Sequence, residues 1–287
     1  MEPLQLVRLA PLMSRSQGRA EVAVALIDGP VSLEHPDLAP SRIKEIPAPI
    51  GSSCQRRESV ACMHGTFVAG MLIARRGSSA PAICPGCTLL LRPIFTENSN
   101  GKGPMPSASP EELAAAISDA IGAGANVINL SAALVHPSSR GERQLEQALD
   151  YAAQRGVLVV AAAGNQGTVG SSAITRHPWV IPVIGCDLQG RPTAESNLGS
   201  SIGRRGLAAP GQNITSLGTD GKPGKFGGTS AAAPFVTGAI ALLWSEFPGA
   251  SAARIKLAVT QAGSRSRTTI APPVLNAWAA YEALSIN

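Results

Sequence analysis

The 287-residue sequence predicts an α/β fold: three layers, with a mostly parallel central sheet covered by helices on both faces. Three observations carry this expectation. Short, wholly apolar runs such as Val157-Leu158-Val159-Val160-Ala161 have the composition of strands buried on both sides. They alternate with longer segments of helical character, the order that joins parallel neighbours through crossovers. Hydrophobic residues make up 44% of the chain but aromatics only 3%, so the interior must be assembled from Ala, Val, Leu and Ile with helices lying close to the sheet.

After a proline-punctuated lead-in, Glu21 to Ile27 reads as a buried strand stopped abruptly by Asp28-Gly29-Pro30. His35-Pro36-Asp37-Leu38 follows as a surface turn, and Pro47 to Ala61 as a loop rich in Pro, Ser and charge. The stretch from Met63 to Ala74 switches to helical character with small residues at close-packing positions, placing His64 at the start of a helix. Thr88 to Ile94 is the next strand, and the Gly-, Ser- and Pro-rich loop from Thr96 to Pro110, with Met105 at its centre, suits the rim of a cleft. Pro110-Glu111-Glu112 opens a helix to about Ala123, its carboxylates where the helix dipole favours them.

Asn126 to Ser131 is a strand, a helix runs from about Glu142 to Arg155, and strands recur at Val157–Ala161, Val180–Gly185 and Gly206–Pro210. Helices from Ser230, from about Ala250 to Ala262 and from Val274 to Leu284 close the chain. No repeat, low-complexity tail or linker separates two cores, so residues 1–287 are expected to form a single domain.

The net charge of +5 invites a nucleic-acid partner, but Lys and Arg are scattered. The pairs Arg56-Arg57, Arg75-Arg76 and Arg204-Arg205 have no interleaved aromatics on which bases could stack, so no nucleic acid is expected. Without an apolar stretch of spanning length or a secretory signal, no membrane is expected either, and the chain reads as a cytoplasmic product or an already trimmed one. Five cysteines cannot all pair. Cys84-Pro85-Gly86-Cys87 lacks a second pair to complete a zinc site and reads as a local disulfide or two free thiols, Cys54 and Cys62 could close a loop, and Cys186 is left over.

Four polar residues stand where a parallel sheet presents groups to one edge. Asp28 ends the first strand, His64 starts a helix, Asn165 lies between glycines after an apolar strand, and Ser230 follows a glycine pair at the head of a small-residue helix, with Pro234 in its first turn. Each has an ordinary alternative: a turn-forming Asp, a capping or core His, a loop Asn, an N-capping Ser. A serine at a helix N-terminus nevertheless has unpaired N–H groups and a positive dipole end beside it, where an acyl-transfer nucleophile gains most.

Four blocks in order, Ala25-Leu26-Ile27-Asp28-Gly29, His64-Gly65-Thr66-Phe67-Val68-Ala69-Gly70, Ala162-Ala163-Gly164-Asn165 and Gly228-Thr229-Ser230-Ala231-Ala232-Ala233-Pro234, resemble the subtilisin-like serine peptidases. The resemblance implies a subtilisin-like fold and a serine endopeptidase in which Ser230 attacks, His64 is the base, Asp28 orients it and Asn165 stabilises the oxyanion. It also implies that Ser131, Ala132 and Ala133 pair with a peptide substrate in extended conformation, and that Arg176 lies near the pocket for the residue before the scissile bond, biasing cleavage towards Asp or Glu.

Phe67 stands where many members of the family carry a second histidine, and Ala132 and Ala133 replace a glycine-rich segment. Between the His64 helix and Thr88 there are no carboxylates to wrap calcium, so neither a metal site nor a cofactor is expected. The opening Leu9-Ala10-Pro11-Leu12-Met13 and Leu26-Ile27-Asp28-Gly29-Pro30 look similar to the intracellular subtilases linked to cyanobactin-type peptide maturation, which implies removal of a leader or processing of a precursor. The alternatives are a transamidating macrocyclase on the same triad, disfavoured because no large insertion near His64 could act as a lid, and an inactive peptide-binding homologue, disfavoured by the intact residues. The sequence is silent on oligomeric state.

Overall fold

The apolar runs become strands of a single parallel sheet. The computed structural model describes residues 2–39, 41–97, 108–131, 143–262 and 270–286. Strands β1 (Ala23–Asp28), β2 (Arg42–Glu45), β3 (Thr88–Pro93), β4 (Val127–Leu130), β5 (Leu158–Ala162), β6 (Val180–Cys186) and β7 (Leu207–Pro210) lie in the order β2-β3-β1-β4-β5-β6-β7, every pairing parallel. An antiparallel hairpin of β8 (Ile214–Leu217) and β9 (Pro223–Phe226) stands apart from it. The helices are α1 (Pro3–Leu6), α2 (Leu9–Arg15), α3 (Val60–Ile73), α4 (Pro110–Gly122), α5 (Arg143–Arg155), α6 (Ala173–Arg176), α7 (Ser200–Arg205), α8 (Thr229–Glu246), α9 (Ala252–Gln261) and α10 (Ala277–Ser285).

Side chains alternate across a strand, and here both faces are covered. Val24 and Leu26 of β1 join an apolar cluster with Phe67 and Leu72 of α3 and Val236 and Ile240 of α8. Ala25 and Ile27 turn the other way, into a second cluster with Leu113 and Ile117 of α4 and Leu145 and Leu149 of α5. This two-sided burial produces the unbroken apolar runs of the sequence. The three-layer α/β fold is therefore the one expected.

Several boundaries differ from the sequence reading. Helix α3 begins at Val60, because Ser59 caps it by accepting a hydrogen bond from the Cys62 N–H at 3.1 Å. His64 is consequently inside the helix and buried, at 3% exposure, instead of standing at an open start. Pro234 likewise falls in the second turn of α8, since that helix starts at Thr229. The lead-in folds as α1 and α2, with Leu9 and Leu12 fully buried. His35 and Leu38, expected at the surface, are also buried, and Met105 lies outside the described residues.

Neither β2 nor the β8–β9 hairpin was anticipated. Strand β2 reads Arg-Ile-Lys-Glu and is mostly exposed at the sheet margin, a composition that hides a strand from any search for apolar runs. At the opposite margin the backbone of residues 273–275 bonds to Ala208 of β7, with Ala208 N–H donating to Pro273 O at 2.8 Å and Leu275 N–H to Ala208 O at 2.9 Å.

Cys54 and Cys62 form a disulfide that ties the segment before α3 to its first turn. Such bonds persist in oxidising surroundings, so the expectation of a cytoplasmic chain is not carried further. Cys84, Cys87 and Cys186 are free and buried, so of the two alternatives read for Cys84 and Cys87 the structure has the pair of free thiols. Burial, with a smaller effect from Asp187, pushes the Cys186 thiol up to about 12.

Replacing Cys54 and Cys62 together by serine is expected to lower the unfolding free energy by about 2–3 kcal/mol, the loop-closure entropy of so short a ring. Urea titration of the two proteins measures the difference, and an unchanged midpoint would mean that the ring constrains nothing in the unfolded chain.

Candidate active site

Strand β1 delivers Asp28 to the carboxyl edge of the sheet, where its side chain is fully buried. The backbone then turns at Gly29-Pro30 and runs against α3 with no room for side chains. A Cβ on Gly65 would lie 2.4 Å from Pro30 O, and one on Gly29 would lie 2.1 Å from Ala61 O. That approach places His64 Nδ1 at 2.8 Å from Asp28 Oδ1 and 3.0 Å from Oδ2, while Gly29 N–H also donates to Oδ1 at 2.6 Å. An ionised carboxylate only accepts hydrogen bonds, so Nδ1 carries the imidazole proton. Nε2 is then an acceptor, and the Ser230 hydroxyl donates to it at 2.8 Å.

The Phe226 ring packs at right angles to this imidazole, with centroids 5.4 Å apart at 86°, and Phe226 in turn contacts Phe67, centroids 5.0 Å apart. The missing second histidine is thus replaced by an apolar wall. Between the start of α3 and the β8–β9 hairpin a cavity of about 510 Å³ opens, with Met63, Asp220 and Phe226 among its walls.

Ser230 is the second residue of α8, where backbone N–H groups have no carbonyl within the helix to bond. Pro234 adds a further irregularity, because it lacks the N–H that would reach back four residues to the Ser230 carbonyl. Gly228 caps the helix at φ +85°, a left-handed conformation, and a Cβ there would sit 2.8 Å from Asn165 Oδ1.

Thr229 clamps the neighbouring loop. Its N–H donates to Asn165 Oδ1 at 2.8 Å, and its Oγ1 accepts from Gly164 N–H at 3.1 Å. With the amide oxygen committed, the Asn165 Nδ2 hydrogens are the ones left to serve a ligand, and the residue is exposed. Asn197 Oδ1 holds the same loop by accepting from Gln166 N–H at 3.0 Å and Thr168 N–H at 3.1 Å.

Ser131, just beyond β4, is buried and its Oγ accepts from Asn129 Nδ2 at 2.8 Å, while Asn129 Oδ1 accepts from Thr237 of α8 at 2.8 Å. Ala132 and Ala133 lie outside the described residues. Arg176 closes α6 with Nη2 3.8 Å from Glu146 Oε1 of α5 and its side chain 36% exposed. Its charge is therefore shared with a carboxylate of the same chain, which weakens the expected pull on acidic substrate residues.

Asp28, His64, Asn165 and Ser230 are thus brought together, as read from the sequence. The positioning contacts of Thr229, Asn197, Asn129 and Phe226 were missed, although Thr229 stood inside the Gly-Thr-Ser block.

A buried carboxylate, a tautomer-fixed imidazole and a hydroxyl at a helix start, all at one edge of a parallel sheet, define the structural class of α/β proteins with a Ser-His-Asp constellation. The family comparison agrees: residues 19–272 match the model described as "Subtilase family", and the chain belongs to that family.

A thermostable alkaline protease of Halalkalibacterium halodurans is 31% identical over 199 residues, 69% of this chain and 51% of that protein, so the chain spans about half its length. Subtilisin DY of Bacillus licheniformis is 30% identical over 88% of this chain and 87% of its own. Among solved structures, the protease domain of PatA superposes with a TM-score of 0.85 at 30% identity, covering 93% of this chain and 96% of that one. The prenylagaramide maturation protease PagA gives 0.82 at 28% identity, covering 96% and 98%. No helix among the described residues is long and apolar enough to cross a membrane.

Gly228→Ala is expected to cost about 1–3 kcal/mol, from forcing a side chain into left-handed backbone and from its collision with the Asn165 amide. Thermal unfolding reads the loss, and a variant as stable as the parent would show that this turn relaxes freely.

Proposed function

We propose that the chain is a serine endopeptidase that cleaves peptide bonds through an acyl-enzyme. The observation that carries this reading is the imidazole of His64, held at Nδ1 by Asp28 and within 2.8 Å of the Ser230 hydroxyl at Nε2. As Ser230 Oγ attacks the scissile carbonyl, its proton passes to His64 Nε2. Asp28 stabilises the imidazolium without taking the proton. The oxyanion that forms sits between the Asn165 Nδ2 hydrogens and the Ser230 backbone N–H. His64 next protonates the leaving amine, then takes a proton from the water that releases the acyl group.

A peptide fits this cleft in extended form, gripped through its main chain beside Ser131, with the cavity next to Phe226 accepting a side chain. Similarity to PatA and PagA supports a role in processing a peptide precursor, such as leader removal.

Fluorophosphonate labelling with mass spectrometry tests the mechanism. One label per chain at Ser230 is expected, abolished by Ser230→Ala and by His64→Ala, and labelling that survives either change would sink the assignment. Asn165→Ala should lower kcat about 100- to 1,000-fold with little change in KM, the loss known for the oxyanion-hole asparagine of subtilisin. Product masses decide between water and an internal amine as acyl acceptor, since hydrolysis adds a water that ring closure does not.

A further inference from the structure

A second cavity, of about 290 Å³, lies between α7 and α9 beside Trp179. Arg204, Arg205 and Lys256 all line it, and no Asp or Glu is found among the described residues that do. Lys256 Nζ lies 5.0 Å from the centroid of the Trp179 ring and donates to Pro178 O. Arg205 Nη2 is tied to Arg176 O at 2.7 Å and Thr175 O at 3.3 Å, while its Nε is buried without a hydrogen-bond partner. The carboxylates of the adjoining α5 face are already engaged, Glu146 by Arg176 and Asp150 by His177 at 3.1 Å.

Like charges gathered in a partly dry place disfavour their own ionisation. Burial, then the charge of Arg205, push the Lys256 amine down to about 8, and burial, then Arg204, lower Arg205. An anion in the cavity would relieve the Lys256 amine and the Arg205 guanidinium, the two groups held down there. The rim also carries Leu257, a large apolar side chain left 53% exposed. Charge and apolar surface side by side match an acidic residue followed by an apolar one. They match nucleic acid poorly, because the indole face that would stack a base is covered by the Lys256 amine.

We infer that this cavity is a binding site for an acidic, partly apolar segment of a peptide, whose carboxylate is held by Arg204, Arg205 and Lys256 while its neighbouring side chain rests on Leu257. Trp179 immediately precedes β6 and Arg205 lies two residues before β7, so the site is at the amino edge of the sheet. Asp28 and Asn165 are at the carboxyl edge. The two are separated by about the length of a strand, on the order of 20 Å for β6 at roughly 3.3 Å per residue. A substrate reaching both needs on the order of ten extended residues along the surface. Resting on the peptidase reading, the inference makes the cavity an anchor that raises the local concentration of the scissile bond of a long acidic precursor.

The binding test needs no turnover. With Ser230→Ala protein, calorimetry compares a twelve-residue peptide of alternating Glu and Leu with its Gln-Leu counterpart and with an oligothymidylate of equal length. The acidic peptide is expected to bind at least tenfold tighter than both, an advantage that shrinks in high salt and disappears in Arg204→Gln with Lys256→Gln. On the unsubstituted chain, acetylation of Lys256 at pH 8 should be slowed by the acidic peptide and not by the neutral one, a readout that stands even if the double variant folds poorly. Equal binding of the two peptides, tighter binding of the oligonucleotide, or an unprotected Lys256 would overturn the inference. Loss of fluorophosphonate labelling with acidic binding intact would instead remove only the peptidase reading.

Discussion

The close approach of two stretches of backbone, Gly29-Pro30 against Ala61 and Gly65, is the constraint from which the cleft follows. Side chains at either glycine would hold β1 and α3 apart by several tenths of an ångström or more. A hydrogen bond between Asp28 and His64 has no such tolerance. The sheet therefore does more than carry the carboxylate to an edge. It brings a bare piece of chain to the helix, so that the carboxylate and the imidazole can meet without water between them.

Burial falls from one end of the array to the other. Asp28 is fully enclosed, His64 is 3% exposed, Ser230 is partly open and Asn165 faces solvent. A buried carboxylate is tolerable only when its oxygens are hydrogen-bonded, and Asp28 accepts from both an imidazole and a backbone N–H. The dry end fixes orientation, and the wet end is where a substrate can enter. Thr229 and Asn197 extend the same order to the oxyanion side by fixing the Asn165 loop through its backbone and its amide oxygen.

Much of this was legible in the chain. Strands buried on both faces announce themselves as apolar runs, so β1, β3, β4, β5, β6 and β7 could all be read. The charged β2 could not, because its side chains report solvent and not sheet. The true start of α3 was hidden in a polar loop, though Ser59 three residues before Cys62 is a capping signal. Asp28, His64, Asn165 and Ser230 were legible as blocks of a known pattern, not from propensity. Roles that depend on distance, such as Phe226 packed at right angles to His64, or Lys256 beside Arg205 from another helix, leave no local trace. The neighbour of Arg176, Glu146 of α5, is likewise out of reach of counting along a loop.

Both outer margins of the sheet are closed to newcomers, one by the charges of β2 and the other by the backbone of residues 273–275. Unguarded margins recruit further chains and seed fibrous aggregates. A protein whose proposed ligands are unfolded, strand-forming segments meets such material at every encounter. With its own margins blocked, it can engage those segments in the cleft without becoming a template for their polymerisation.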